Sequence, residues 1–170
     1  MARGRISPRS AVTSVPAASR REIQGCRRIA SSLPSQRNST SKVSTHVILY
    51  VPNVPEAVAF YEKAFGLPSR FNHETGQYAE METGITALAF ADEEMVSTTC
   101  HGFSRNRPEK PAAGAEVAFV TDDVPGGFKR AVDAGAVSVV PPTTKPWGQV
   151  VSYVRDNNGF LVEICSEVTP

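Results

Sequence analysis

One stretch of this chain occurs twice, and the duplication limits the possible folds more than any other feature of the sequence. Residues 46–55, HVILYVPNVP, are matched at an offset of 70 residues by 116–125, EVAFVTDDVP. In both copies an apolar stretch is followed by a Pro-containing turn and then by a helical pattern. A duplicated unit predicts two similar halves related by a pseudo-twofold axis. His46 and Glu116 should then hold equivalent positions facing a shared groove.

Charge divides the chain into two parts. Residues 1–42 hold eight Arg, one Lys, nine Ser and a single acid, whereas residues 43–170 hold nine bases and sixteen acids. The basic part has no sustained apolar period, so we expect residues 1–43 to be a disordered extension. Two interpretations remain open. A transit segment would direct the protein to a mitochondrion or plastid, whereas a misassigned start near Val43 fits a cytoplasmic protein.

Two kinds of partner are not expected from the composition. No apolar run approaches the roughly 18 residues that span a bilayer, so no membrane association is predicted. The arginines of the extension are not interleaved with aromatic residues, so no nucleic-acid binding is predicted either. Three scattered cysteines are too few for a disulfide framework and fit a reducing compartment.

The apolar patterns after residue 43 predict the element order βαβββ twice, which is an α+β fold of two tandem modules. We place the folded domain at residues 44–168, with module 1 at about 44–95 and module 2 at about 114–168. Residues 96–113 are polar and contain two prolines, so they should form a linking loop. The predicted strands are 44–51, 70–72, 77–82, 85–91, 116–121, 137–140, 149–155 and 160–165, and the predicted helices are 56–65 and 126–134.

Three ionisable residues stand in strand faces that are otherwise apolar. Alternation puts His46 beside Ile48 and Tyr50, and it sets Glu116 and Glu163 among apolar neighbours in the same way. A buried glutamate is costly unless it is paired, so the three groups would satisfy one another best around a divalent cation. Two alternatives remain open: the glutamates lie at solvated strand ends, or one is protonated against the histidine.

Two stretches resemble one known family. Residues 46–67, HVILYVPNVPEAVAFYEKAFGL, and residues 154–164, VRDNNGFLVEI, are similar to the glyoxalase, bleomycin-resistance and extradiol-dioxygenase superfamily, also called the vicinal oxygen chelates. The resemblance covers residues 44–166. It implies two βαβββ modules that form a cup-shaped mixed sheet around a bound metal, and a homodimer in which the cup can be built across two chains.

The resemblance also implies a set of metal ligands. Matched by position, they are His46, Glu116 and Glu163, while the fourth place falls near Leu88, which cannot coordinate a metal. Such a set would suit Mn²⁺, Fe²⁺, Ni²⁺ or Zn²⁺, and Glu163 could exchange roles between ligand and catalytic base. The expected function is a divalent-metal-dependent lyase, thiol transferase or dioxygenase acting on a small vicinal-oxygen substrate. The alternative is a metal-free, bleomycin-resistance-like protein that binds and sequesters a small molecule.

Two aromatic residues are predicted to line the substrate pocket. Tyr50 shares the face of His46, and Trp147, the single tryptophan, stands between Pro146 and Gly148 before a strand. Ordinary packing is the alternative for Trp147. Cys165 has no histidine partner at readable spacing, so it is expected to be a core residue rather than a nucleophile.

Overall fold

The structure is a computed structural model that describes residues 45–168, so the predictions for residues 1–43 lie outside it. It confirms the α+β fold with two βαβββ modules. The elements are β1 (His46–Val51), α1 (Val54–Phe65), β2 (Ser69–Asn72), β3 (Tyr78–Met81), β4 (Ala87–Asp92), α2 (Glu93–Ser97), β5 (Glu116–Val120), α3 (Val124–Ala134), β6 (Val137–Thr144), β7 (Val150–Arg155) and β8 (Leu161–Cys165).

Each module contributes one four-stranded mixed sheet, and the two sheets have the same connectivity. The strand orders are β1-β4-β3-β2 and β5-β8-β7-β6. The strand that begins each module runs parallel to the strand that ends it, and the other neighbours are antiparallel. The first strand of each module therefore lies at the edge of its sheet.

The repeated turn sequences cap the two long helices in the same way. The Asn53 side chain accepts a hydrogen bond from the Glu56 amide at 3.1 Å, and the Asp123 side chain accepts one from the Gly126 amide at 2.9 Å. Each helix has a proline in its first turn and ends at a glycine in the left-handed conformation. The repetition seen in the sequence thus specifies equivalent helix starts and ends.

Two elements differ from the sequence prediction. The short helix α2 lies between the predicted strand 85–91 and the predicted linking loop and overlaps the start of that loop, where no helix was predicted. The Asp92 side chain accepts a hydrogen bond from the Met95 amide at 2.8 Å and caps the helix. Strand β6 runs four residues beyond its predicted end at Val140, through Pro141 and Pro142. An edge strand tolerates prolines because one side of its backbone has no partner.

The hydrophobic core continues from one module into the other. The Tyr61 ring of α1 lies 4.8 Å from the ring of Phe90 in its own sheet, and Phe65 lies 5.2 Å from Phe119 of module 2. The Tyr61 hydroxyl also donates a hydrogen bond at 2.9 Å to Asp156, which is almost fully buried in the turn before β8. Aromatic packing and one buried hydrogen bond therefore join the modules.

The segment between the modules is held to the body by arginines. Arg107 donates two hydrogen bonds of 2.7 Å to the buried carboxylate of Glu93, and this pairing raises the pKa of the guanidinium. Arg155 donates to the backbone carbonyls of Arg107 and Lys110. These contacts fix the linking segment against the ends of β4 and β7. Within residues 45–168 no helix is long and apolar enough to cross a membrane.

Candidate functional site

The strand faces predicted from alternation are confirmed. Val51, Val162 and Ile164 point into the core with the helices. The opposite face of each sheet carries the candidate functional residues, and we call it the cup face of that module. The cup face of module 1 comprises His46, Ile48, Tyr50, Tyr78, Glu80, Ala87, Ala89 and Ala91, and that of module 2 comprises Glu116, Ala118, Val120, Val151, Tyr153, Leu161, Glu163 and Cys165.

On the cup face of module 1, His46 pairs with a carboxylate that the sequence analysis did not select. Its Nε2 lies 3.2 Å from Oε1 of Glu80, and its Nδ1 lies 2.8 Å from the hydroxyl of Thr45. The two side chains belong to β1 and β3, on either side of β4 in the sheet. They meet above β4 because that strand presents only alanines to this face, among them Ala89 opposite Glu80.

The Glu80 carboxylate is held by three further hydrogen bonds. Arg70 donates from Nε at 3.1 Å and from Nη2 at 2.7 Å to Oε2, and the Tyr78 hydroxyl donates at 3.0 Å to Oε1. Burial alone would raise the pKa of Glu80, but the hydrogen bonds from Arg70 and Tyr78 and the nearby positive charge together lower it. Burial and this carboxylate also raise the pKa of Tyr78. Glu80 is therefore an ionised, fully paired carboxylate.

A signal for Glu80 was present in the sequence. It stands between Ala79 and Met81, both fully buried, just as Glu163 stands between Val162 and Ile164. The criterion that selected Glu163, a carboxylate alternating with apolar residues, applies equally to β3. The prediction missed Glu80 because β3 is short and its alternation looked irregular from the sequence alone.

On the cup face of module 2, Glu163 is the centre of a cluster of acids and hydroxyl or thiol donors. The Tyr153 hydroxyl donates to Oε2 of Glu163 at 2.6 Å, and this bond is the main cause that raises the pKa of Tyr153 to about 12. Desolvation, the charge of Glu163 and a hydrogen bond with it raise the pKa of Glu116. Glu116 therefore takes up a proton more readily than an isolated carboxyl group, because its charge is disfavoured beside Glu163.

Cys165 belongs to the same cluster and is a core residue, as predicted. It is 3% exposed, and burial together with its hydrogen bond to Glu163 raises the pKa of the thiol to about 11. A thiol with so high a pKa is a poor nucleophile at neutral pH.

The register of the strands corrects the predicted fourth ligand position. His46 is paired with Ala87 and Glu116 with Leu161, so the residue of β4 equivalent to Glu163 is Ala89 rather than Leu88. Leu88 points to the opposite face and is buried in the core. Setting the glycine before β4 against the glycine before β8 misplaced the match by one residue, because the two turns differ in length. Alanine cannot coordinate a metal either, so module 1 still lacks the fourth ligand.

The predicted metal ligands are distributed over two separate pairs. His46 lies with Glu80, and Glu116 lies with Glu163. Between residues 45 and 168, no group of three or more His, Cys, Asp and Glu side chains is close enough to hold a metal ion. In addition, the guanidinium of Arg70 lies against Glu80, where its charge would repel a cation. The donor set within one chain therefore does not fit a divalent metal.

The two predicted substrate-binding aromatic residues lie at different places. Tyr50 is half-buried on the cup face of module 1, and its ring packs edge-on against Phe103 at 5.0 Å. Trp147 lies in the turn between β6 and β7, is 59% exposed, and donates from its indole nitrogen to Gln149 at 3.0 Å. Gln149 in turn contacts the Cys165 thiol, so a chain of polar contacts links Trp147 to the Glu163 cluster.

Solved structures share this architecture. A glyoxalase-related enzyme from Fulvimarina pelagi matches with a TM-score of 0.64 and 18% identity, over 75% of this chain and 89% of that chain. A glyoxalase/bleomycin resistance protein/dioxygenase family enzyme from Burkholderia phytofirmans PsJN matches with a TM-score of 0.62 and 19% identity, over 74% and 98% of the two chains. TioX from Micromonospora sp. ML1 has a TM-score of 0.57 and 23% identity, over 74% and 98%. At these identities the likeness shows the fold.

The fold and the paired cup faces define a protein of two βαβββ modules. The sequence profile of the Glyoxalase/Bleomycin resistance protein/Dioxygenase superfamily matches residues 44–164, and the chain belongs to this superfamily. No curated protein matches the chain in sequence.

Proposed function

We propose that this protein binds a small organic molecule at its cup faces without a metal ion, as the alternative reading of the sequence expected. The observation that carries the proposal is that the predicted ligands have protein partners within their own modules. Glu80 is paired with both Arg70 and His46, and Glu163 is paired with Tyr153. A metal ion at Glu80 would have to displace the guanidinium of Arg70, and a metal ion at Glu163 would find only Glu116 beside it as a second carboxylate ligand.

The chemistry of the two cup faces suggests the kind of molecule that would bind. Module 2 offers carboxyl oxygens of Glu116 and Glu163, and the exposed indole of Trp147 lies at the end of the same polar chain. Module 1 offers the partly exposed guanidinium of Arg70, which is paired with Glu80. A ligand with a flat apolar body and hydrogen-bond donors would use the carboxyl group of Glu163 and the indole together.

Metal binding by the full chain is the test of this proposal. We expect elemental analysis to find no stoichiometric metal, and calorimetry to find no saturable binding of Mn²⁺, Fe²⁺, Ni²⁺ or Zn²⁺. Metal-free bleomycin is a suitable probe of the cup because its binding can be followed by the fluorescence of Trp147, the single tryptophan. Glu163→Gln should weaken that binding, while Glu167→Gln, which changes an exposed acid outside the cluster, should not. Stoichiometric metal that is lost in Glu163→Gln would contradict the proposal.

A second candidate function is the metal-dependent enzyme, with the site completed by a second copy of the chain. In its favour, Ile48 is 45% exposed and Val120 is 60% exposed, and both lie on the cup faces of edge strands. Burying these two residues between chains would be favourable and could bring His46 of one chain towards Glu116 and Glu163 of another. Glu163 would then be the candidate ligand and catalytic base of a lyase, thiol transferase or dioxygenase.

Sedimentation with and without metal separates the two functions. The enzyme hypothesis expects a homodimer that takes up one divalent ion per cup and loses it in His46→Gln as well as in Glu163→Gln. The binding hypothesis expects that the oligomeric state does not respond to metal.

A further inference from the structure

A cleft of about 470 Å³ lies between the two modules, along the free edge of β5. This volume is within the roughly 300–1,000 Å³ typical of small-molecule sites. None of the four ionisable residues that characterise the cup faces, His46, Glu80, Glu116 and Glu163, lines the cleft. The cleft adjoins the cup faces, since Ala87, Ala118 and Val120 belong to both, but it is distinct from the two carboxylate clusters that the proposed function uses.

The walls of the cleft combine apolar side chains from both modules with three threonines, Thr83, Thr86 and Thr121. Module 1 supplies Phe65, Leu67 and Leu88, and module 2 supplies Phe119 and Ile164. At its margins, Val47 is 45% exposed and Val120 is 60% exposed, so apolar surface remains in contact with water. A hydrocarbon chain lying in the cleft would remove this surface from water, which is favourable.

One ionisable residue lines the cleft, and it is a cation. Arg130 of α3 is exposed, and the structure of residues 45–168 contains no hydrogen bond or ion pair of its guanidinium. Gly127 lies one turn earlier, and a Cβ at that position would come within 4.0 Å of Nη2 of Arg130 and within 3.2 Å of Ile164. Because Gly127 has no side chain, the guanidinium can lie directly beside the apolar wall.

An unpaired arginine beside an apolar cleft matches the two parts of an amphipathic anion. A guanidinium binds a carboxylate through two parallel hydrogen bonds, and the apolar walls receive the hydrocarbon part. We infer that this cleft binds a small aliphatic carboxylate, with the carboxylate on Arg130 and the chain lying along the wall to which Phe65 and Phe119 contribute.

Calorimetry of the full chain with octanoate tests the inference. We expect octanoate to bind with saturation at one site per chain, and Arg130→Gln to weaken the binding about tenfold because a charge-assisted contact is lost. The matched control is Lys129→Gln, which removes the neighbouring positive charge of α3 outside the cleft and should leave octanoate binding unchanged. The neutral analogue 1-octanol should bind equally to the native protein and to Arg130→Gln.

Further variants distinguish the cleft from the cup and from self-association. Glu163→Gln should leave octanoate binding intact, whereas Val47→Phe, which fills the cleft from β1, should weaken both octanoate and 1-octanol binding. The inference is wrong if the folded protein shows no saturable octanoate binding, or if Arg130→Gln and Lys129→Gln have the same effect. It is also overturned if Glu163→Gln abolishes the binding, or if sedimentation shows that octanoate binds only by dissociating a dimer that covers the cleft.

Discussion

The two cup faces have the same strand connectivity, but their central carboxylates have opposite electrostatic surroundings. In module 1, Glu80 is surrounded by cationic and neutral donors, with Arg70 at 2.7 Å. In module 2, Glu163 faces a second acid, Glu116, and the donor at 2.6 Å is the uncharged hydroxyl of Tyr153. Strand register makes Tyr153 the equivalent of Glu80, and Ala89 the equivalent of Glu163. The central carboxylate therefore stands on β3 in module 1 but on β8, the counterpart of β4, in module 2.

The comparison shows how a duplicated fold can carry two different environments. The backbone positions are equivalent, but one carboxylate is held by a fixed positive charge, whereas the other lies beside a second acid whose pKa it raises. The first arrangement is electrostatically complete, whereas the second keeps acceptor capacity for an added ligand. We therefore expect substitutions in module 1 to affect mainly stability, and those in module 2 to affect mainly binding.

The largest effect should come from a charge placed on the wrong face of β4. Leu88→Glu puts a carboxylate in the core and should destabilise the protein by more than about 4 kcal/mol, which we expect to leave no folded baseline in urea unfolding followed by circular dichroism. Ala89→Glu places the same group on the cup face, where Ala89 is fully buried opposite Glu80, and should cost about 2 to 3 kcal/mol because His46, which already pairs with Glu80 above β4, offsets part of the burial cost. Ala89→Gln is the control, because glutamine has the size of glutamate but no charge, so the difference between the two variants measures the effect of the charge. Equal damage by Leu88→Glu and Ala89→Glu would contradict the register that makes Ala89 the equivalent of Glu163.

Removing the cation of module 1 should have the next largest effect. Arg70→Met removes both hydrogen bonds that the guanidinium donates to the buried carboxylate of Glu80. We expect this to lower the free energy of unfolding by about 2 kcal/mol at pH 7. Lys129→Met, which breaks an exposed pair with Asp133, should change it by only a few tenths of a kcal/mol.

The same variant should alter the acid dependence of stability. Because folding lowers the pKa of Glu80 below its ordinary value of 4.5, its contribution is present above that value and is lost as the pH falls through the lower folded pKa. The difference between Arg70→Met and the native protein should therefore shrink below about pH 4. A difference that stays constant down to pH 3 would show that the guanidinium acts by packing rather than by charge.

A smaller effect should distinguish the two tyrosines. Tyr153→Phe removes the hydroxyl that donates to Glu163 and should cost about 1 kcal/mol in urea unfolding. Tyr78→Phe should cost less, because Glu80 keeps both hydrogen bonds from Arg70. The reverse order would show that Glu163, not Glu80, has the better remaining partners.

The smallest effect should come from Glu116, whose contribution to stability depends on pH in the opposite direction to that of Glu80. Its pKa is raised in the folded state, so its contribution to stability is complete below the ordinary value of 4.5 and is lost as the pH rises through the folded pKa. Urea midpoints measured from pH 4 to pH 7 should show this loss in the native protein and not in Glu116→Gln. A Glu116→Gln profile that matches the native profile would mean that folding does not raise the pKa of Glu116.

The sequence by itself determined the duplication, the order of the elements and the faces of the strands. The repeated Pro-containing turns, the glycines after the helices and the alternation around Val51 and Val162 are local signals, and each specifies structure within a few residues. Such signals also led to the superfamily and to Glu163 as part of the central cluster. They selected His46 and Glu116 at equivalent positions but could not say which groups each would meet.

The tertiary structure decided the partners. Strand register depends on turn lengths and on packing between strands, so it alone showed that Ala89, not Leu88, is the counterpart of Glu163 and that His46 meets Glu80 across β4. The cleft beside Arg130 likewise exists only because the helices of the two modules pack together. Contacts between residues far apart in the chain depend on the packing of the whole domain, which short-range sequence patterns do not specify.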